Sequence, residues 1–193
     1  MCYHISMRIL LIRHGQTDWN IQDKVQGSSD IPLNETGIQQ AYATKDMLKE
    51  YKFDVVISSP LIRAKQTASI VCEDRNNTIF TDCRLAERDF GKFEGVSYKQ
   101  NMEYKKGAWS LNMDEQLSTV EAYPLFYERV AGFLDEILRK HYDKDILLVA
   151  HGGVSIAVGQ YFMGIPQNGK VHDYLLDNCE IAEYREVDIN KKL

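Results

Sequence analysis

No two of the four cysteines stand close enough in sequence to make a redox or zinc pair: Cys2, Cys72, Cys83 and Cys179 are scattered, with no C-x-x-C. The thiols therefore read as reduced, in a cytoplasmic protein rather than a secreted disulfide scaffold. Long apolar runs are missing too. None approaches the roughly 18 residues of a membrane-spanning helix, and no signal peptide opens the chain. Basic residues are in the minority, 23 Lys and Arg against 28 Asp and Glu, for a formal net charge of −5. A nucleic-acid partner would call for a basic stripe instead. Repeats, low-complexity tracts and interdomain linkers are absent. Residues 1–193 thus read as one domain, with 1–6 an extension ahead of a natural start at Met7. A chain of this length buries about 70% of its unfolded surface and needs no staple.

What is present is an alternation of apolar runs and amphipathic stretches. MRILLIRHG, from Met7, is apolar without alternation, the pattern of a strand buried on both faces. A polar loop, Gln16 to Asn34, leads to ETGIQQAYATKDMLKEY. That segment predicts an amphipathic helix with Ile38, Ala41, Met47, Leu48 and Tyr51 near one stripe. FDVVISSP is a second strand, and Pro60 suits the first turn of a helix running to about Val71. TIF, Thr78 to Phe80, is a short third strand. Residues 91–120 are rich in Tyr, Lys, Met and Asn, with weak periodicity, and read as a partly helical excursion over the site. EAYPLFYERVAGFLDEILRKHY is a long amphipathic helix starting at Pro124. DILLVAHGG is another buried strand, followed by a helix to about Met163, and CEIAEYRE is a final edge strand. Alternating strands and helices assign the α/β class with a mainly parallel sheet.

Three of the apolar runs end in polar clusters. Ile9 to Ile12 runs into Arg13-His14-Gly15. Val55 to Ile57 runs into Ser58-Ser59-Pro60, with Arg63 one helical turn beyond. Ile146 to Ala150 runs into His151-Gly152-Gly153. Ligands of open α/β sheets bind outside the carboxyl ends of the strands. Parallel neighbours would bring two arginines and two histidines together there, with helix N-termini aimed at the same place. Fixed guanidiniums, imidazoles and a helix N-terminus make a pocket for a phosphate dianion. A metal is not expected, since the arginines would repel a cation and no carboxylate cluster accompanies the histidines.

Each residue also has a plainer reading. Singly, His14 and His151 would be satisfied structural histidines, Arg63 a solvated helix residue and Asn20 a turn residue. Glu87 would belong to a surface charge cluster with Arg84, Arg88 and Asp89. Joint placement after matching strands is what favours a site. His4, His141 and His172 read as surface or local structural residues. Tyr98, Tyr104 and Trp109 are packing residues first and specificity residues second. Two decoys are set aside. Cys2 to Arg8 has the C-x5-R spacing of cysteine phosphatases, but the cysteine opens the chain and the arginine lies inside a strand. GIPQNGKV, Gly164 to Val171, approaches a Walker A loop but lacks the final Ser or Thr and follows a helix.

The segment R-H-G-Q-T-D-W-N, Arg13 to Asn20, resembles the signature of the histidine phosphatase superfamily, which includes the cofactor-dependent phosphoglycerate mutases. GSSDIPLNETGIQQA, SSPLIRAKQTA, RLAERDFGKFEG and AHGG are similar to further blocks of that family, in the family's order, over about Met7 to Tyr184. The resemblance implies a three-layer α/β/α sandwich with a mostly parallel, phosphoglycerate mutase-like sheet. It also implies roles. His14 matches the nucleophile that becomes phosphohistidine, and Arg13, Arg63 and His151 the groups that hold the transferring phosphoryl. Asn20 and the backbone near Gly27 and Gly152 match further phosphate contacts, and Glu87 the proton donor. The nucleophile must be neutral at its attacking nitrogen, so its other nitrogen needs a fixed acceptor. No cofactor is expected, and the partner is a small phosphorylated substrate; the oligomeric state is not readable.

A phosphomonoesterase is the expected activity, with a phosphoglycerate mutase as the alternative and a non-catalytic phosphate-binding module behind both. Where mutases carry a substrate-binding tyrosine and lysine, this chain has Phe90 and Tyr98. Their paired arginines have only Lys105-Lys106 as a loose counterpart. The insertion after the acid block is short for a mutase, and every catalytic position is filled, which disfavours the module. Sugar phosphates, phosphoglycerates, a cobalamin nucleotide-loop precursor and phosphoproteins all remain open as substrates.

Overall fold

A computed structural model describes residues 7–101 and 119–185. The extension 1–6 with Cys2 and His4 lies outside the described residues. So does 102–118, with Tyr104, Lys105, Lys106, Trp109 and most of the expected excursion.

The apolar runs form the sheet. β1 (Arg8–Arg13), β2 (Val55–Ser58), β3 (Ile79–Thr81), β4 (Asp145–Ala150) and β5 (Ile181–Arg185) lie in the order β3-β2-β4-β1-β5. Pairings among the first four are parallel, and β5 runs antiparallel along β1. The helices are α1 (Asp18–Ile21), α2 (Glu35–Met47), α3 (Ile62–Val71), α4 (Tyr123–Lys140) and α5 (Gly152–Met163). Moving from β1 to β2 to β3 crosses the sheet one way, and returning to β4 crosses it the other. Right-handed crossovers must then put α2 and α3 on one face and α4 on the other.

The cores follow that rule. Leu10, Ile12, Leu147 and Val149 pack with Leu48, Ala64, Ala68 and Val71. Their chain neighbours Ile9, Leu11, Ile146 and Leu148 pack with Phe126, Phe133, Val154 and Ile156 on the opposite face. Successive strand residues point to opposite faces, so a strand covered on both sides needs apolar residues throughout. The result is the expected three-layer α/β/α sandwich with a mostly parallel sheet.

Three local expectations change. The buried face of α2 is Gly37, Ala41 and Thr44, continued by Leu48, whereas Met47 and Tyr51 are exposed. The reason is a close approach between backbones. A Cβ on Gly37 would stand 2.1 Å from the Gln16 carbonyl oxygen, and one on Gly15 2.5 Å from that of Gly37. Only the small-residue face of α2 fits against the exit from β1. Pro60 precedes the N-cap, Leu61, rather than entering the first turn of α3. Pro124 lies within the first turn of α4, which begins one residue earlier at Tyr123.

Candidate active site

The parallel ladder continues one residue past the strands. His14 N donates to Ala150 O at 2.9 Å, and Ser59 N to Val149 O at 2.9 Å. The ends of β1, β2 and β4 are thereby locked side by side. A cavity of about 680 Å³ opens over them, lined by Arg13, His14, Asn20, Gly27, Arg63, Glu87, Tyr98 and Gly152 among others. Of the residues expected at the site, only His151 is not part of the wall. It is fully buried behind His14, with ring centroids 5.2 Å apart.

His14 is only 3% exposed. Its Nδ1 lies 2.7 Å from the Gly15 carbonyl oxygen. A carbonyl can only accept, so Nδ1 carries the ring proton and Nε2 presents a lone pair. Arg63 Nε donates to that lone pair at 3.3 Å. Burial first, then Arg63 and Arg13, hold the imidazole well below the ordinary histidine range, against the Gly15 hydrogen bond. The ring is neutral at neutral pH, with the tautomer an attacking Nε2 requires.

Arg63 occupies the otherwise small and apolar face of α3, with Ala64, Thr67, Ala68 and Val71 buried around it. Its Nη1 donates to Ser29 O and its Nη2 to Gly27 O, each at 2.7 Å. With the bond to His14, that accounts for three of the five guanidinium N–H groups. Burial lowers it to about 10, so it stays charged. Arg13 donates to Leu176 O at 2.6 Å, while its Nε is buried without a partner among the described residues. Among the described residues, neither arginine lies within ion-pair distance of a carboxylate. One buried and one half-buried cation with no carboxylate in ion-pair contact among the described residues form a site for an anion from outside.

His151 Nε2 lies 2.6 Å from Ser59 Oγ, which already accepts from Leu61 N at 3.3 Å. Burial, reinforced by Arg63, His14, Arg13 and Arg129, keeps this ring neutral as well. Its other nitrogen, Nδ1, is buried and has no hydrogen-bond partner among the described residues. Glu87 accepts from Arg88 N at 2.8 Å and, through Oε2, from Gly153 N in the first turn of α5 at 2.9 Å. Asn20 spends its Oδ1 on Thr17 N at 3.0 Å, which leaves Nδ2 for the cavity. Gly152 sits beside the Arg13 guanidinium, where a Cβ would come within 3.4 Å of Cζ. Tyr98 donates its hydroxyl to Asp23 Oδ1 at 2.9 Å, so its O–H proton is already engaged at the cavity wall. Among the described residues no metal-ligand cluster is gathered.

Several wall residues carry no sequence signal. His172, read as a surface or local structural residue and exposed in the fold, lines the cavity with Asp177 and Asn178. Asn178 Nδ2 donates to the His14 carbonyl at 2.9 Å. Topology puts it there. Because β5 is antiparallel to β1, the chain entering β5 passes over the end of β1 that carries His14. Sheet order, which is not visible in residue pattern, was the missing signal.

The sequence profile of the histidine phosphatase superfamily (branch 1) matches residues 9–190. The chain is similar to "Uncharacterized phosphatase PhoE" of Bacillus subtilis, with 34% identity over 96% of both chains. It is similar to the adenosylcobalamin/alpha-ribazole phosphatase of Escherichia coli, with 31% identity over 96% of this chain and 92% of that one. The crystal structure of phosphoserine phosphatase from Entamoeba histolytica, in complex with 3-phosphoglyceric acid, superposes with a TM-score of 0.78 at 27% identity, covering 92% of this chain and 89% of that one. With the profile spanning nearly the whole chain, the protein belongs to branch 1 of the histidine phosphatase superfamily.

Proposed function

We propose that the chain hydrolyses phosphomonoesters of small metabolites through a phosphohistidine on His14. The observation that carries this is the neutral His14, its Nε2 lone pair beside Arg63 and Arg13, which no carboxylate pairs among the described residues. A substrate phosphoryl displaces the weak Arg63 contact, and the freed N–H turns to a phosphoryl oxygen. Nε2 attacks phosphorus, the bond to the ester oxygen breaks, and Glu87 gives its proton to the leaving alkoxide. Arg13, Arg63, Asn20 Nδ2 and the N-terminus of α5 hold the equatorial oxygens, with His151 backing the His14 ring. Water then attacks the phosphohistidine, the P–N bond breaks, and Glu87 takes the water proton, leaving inorganic phosphate and the free alcohol.

Relatives named for alpha-ribazole and phosphoserine substrates support small phosphorylated metabolites as the class. The wall residues Val25, Phe90, Ile156 and Leu175 beside Lys24 and Asp177 leave room for an alcohol of mixed polarity. Acid quenching with phosphorus-labelled substrate tests the reading. Wild type should yield an acid-labile, base-stable adduct and release labelled phosphate over many turnovers, and His14→Ala should yield neither. An adduct persisting in His14→Ala refutes the nucleophile. Label passing to a second hydroxyl faster than to water would install the mutase alternative.

A further inference from the structure

Glu94 takes no part in the steps above, yet five donors converge on its carboxylate. Ser28 N at 2.8 Å, Ser28 Oγ at 2.9 Å and Phe90 N at 3.2 Å give hydrogen bonds to Oε1. Ser29 N at 2.9 Å and the Ser29 hydroxyl give theirs to Oε2. Burial pushes this carboxyl up, but the hydrogen bonds from Ser29, Ser28 and Phe90 together hold it below the ordinary range. It is therefore ionised, and it turns the N–H groups of Ser28 and Ser29 onto itself.

The same loop faces the other way with its carbonyls. Gly27 O and Ser29 O are the two acceptors that grip Arg63, both at 2.7 Å. Arg63 in turn donates to His14 Nε2. The approach of Glu94 depends on Gly27, which sits at φ +54° and whose Cβ would lie 2.1 Å from Glu94 Oε1. We propose that Glu94 is a positioning residue that fixes the Gly27–Ser29 loop, and through its two carbonyls sets Arg63 against the His14 lone pair. This rests on the reading of His14 and Arg63 as reacting groups. Glu94 reaches the phosphoryl only through Arg63, so removing it misplaces a donor without removing one.

An amide at this position cannot do the same work. Glutamine keeps one acceptor, so its NH2 group must face either the Ser29 donors or those of Ser28 and Phe90. A donor then meets a donor, and the loop shifts. The test is a double-mutant cycle of Glu94→Gln and Arg63→Lys on p-nitrophenyl phosphate. Rates are divided by the amount of His14 that becomes phosphorylated in the burst, so that partly unfolded enzyme does not count. Glu94→Gln should lower the normalised rate by about 10²-fold. The double variant should be within about twofold of Arg63→Lys alone, because the two act through one contact. Losses that multiply, or a Glu94→Gln rate near wild type, overturn the proposal. If Glu94→Gln fails to fold, the Ser28→Ala/Ser29→Ala pair, which removes two hydroxyl donors and keeps the charge, enters the same cycle with the same criteria. Arg63→Lys at the wild-type rate would instead overturn the reading of the site itself.

Discussion

Glu87 meets the cavity from a loop whose other charged residues turn elsewhere. Arg84 pairs with Asp82 and Glu136, and Arg88 is buried with its Nε on Glu121 O at 2.6 Å. If Glu87 protonates the ester oxygen, its importance depends on how much that oxygen needs a proton. Glu87→Gln preserves shape and one acceptor but has no proton to give. It should cost about 10²-fold or more on an alkyl phosphate and much less on p-nitrophenyl phosphate, whose leaving group is already a good anion. Equal losses on the two esters, measured as kcat/KM, would leave Glu87 a mere phosphate contact. Such assignments differ in how far they can be read from residue order. His14 and His151 are legible because each ends a buried apolar run. Glu94 stands in the same block as Glu87 and is not legible, because its partners Ser28 and Ser29 lie more than sixty residues away.

The strands were readable because burial on both faces removes polar residues from them, and β3 was displaced by only a residue because it is a short edge. The face of α2 was misread because apolar size is a poor guide where two backbones must touch, as at Gly15 and Gly37. The use of α4 was also hidden. Its amphipathic pattern predicts packing, yet Arg129 on this helix donates to Arg84 O at 2.7 Å, Ala86 O at 2.9 Å and Glu87 O at 3.1 Å. Glu121 holds the guanidinium at 2.7 Å. The helix thus carries the backbone on which Glu87 rides. Arg129→Met should cost about 1–3 kcal/mol, since carbonyls and a carboxylate lose their donor. Its rate loss should follow the leaving group as for Glu87→Gln, greater for alkyl than for aryl esters. Thermal melting reads the first effect and paired kcat/KM values the second. A loss uniform across leaving groups would mean that Arg129 contributes stability alone.

The two neutral histidines also make stability depend on pH. Both are held below the unfolded value near 6.5 by burial, with Arg63 next. As pH falls below that value, the unfolded chain takes up protons that the native chain refuses. Stability is therefore present above about pH 6.5 and is lost as pH falls toward the folded values. The slope approaches about 1.4 kcal/mol per pH unit for each histidine. His141 and His172 shift in the same direction and add to it. Urea denaturation between pH 7 and 5 should show a falling midpoint, and His151→Asn should flatten the fall. An unchanged slope in that variant would rule out His151 as a source.

The strand that carries His14 is made early, and its supports are made late. Arg13 O accepts from Cys179 N at 3.0 Å, Arg13 Nη1 donates to Leu176 O at 2.6 Å, and His14 O accepts from Asn178 Nδ2 at 2.9 Å. At the usual pace of translation, roughly 10–30 s separate the synthesis of the two ends of these bonds. Both sheet neighbours of β1, β4 and β5, also emerge in the last quarter of the chain. During that interval the growing polypeptide holds His14 without the segment that later braces it. On the proposed reading of His14, a nascent chain is inert toward phosphoesters until β5 has docked, and a ribosome that stalls before residue 176 leaves no partially active product behind.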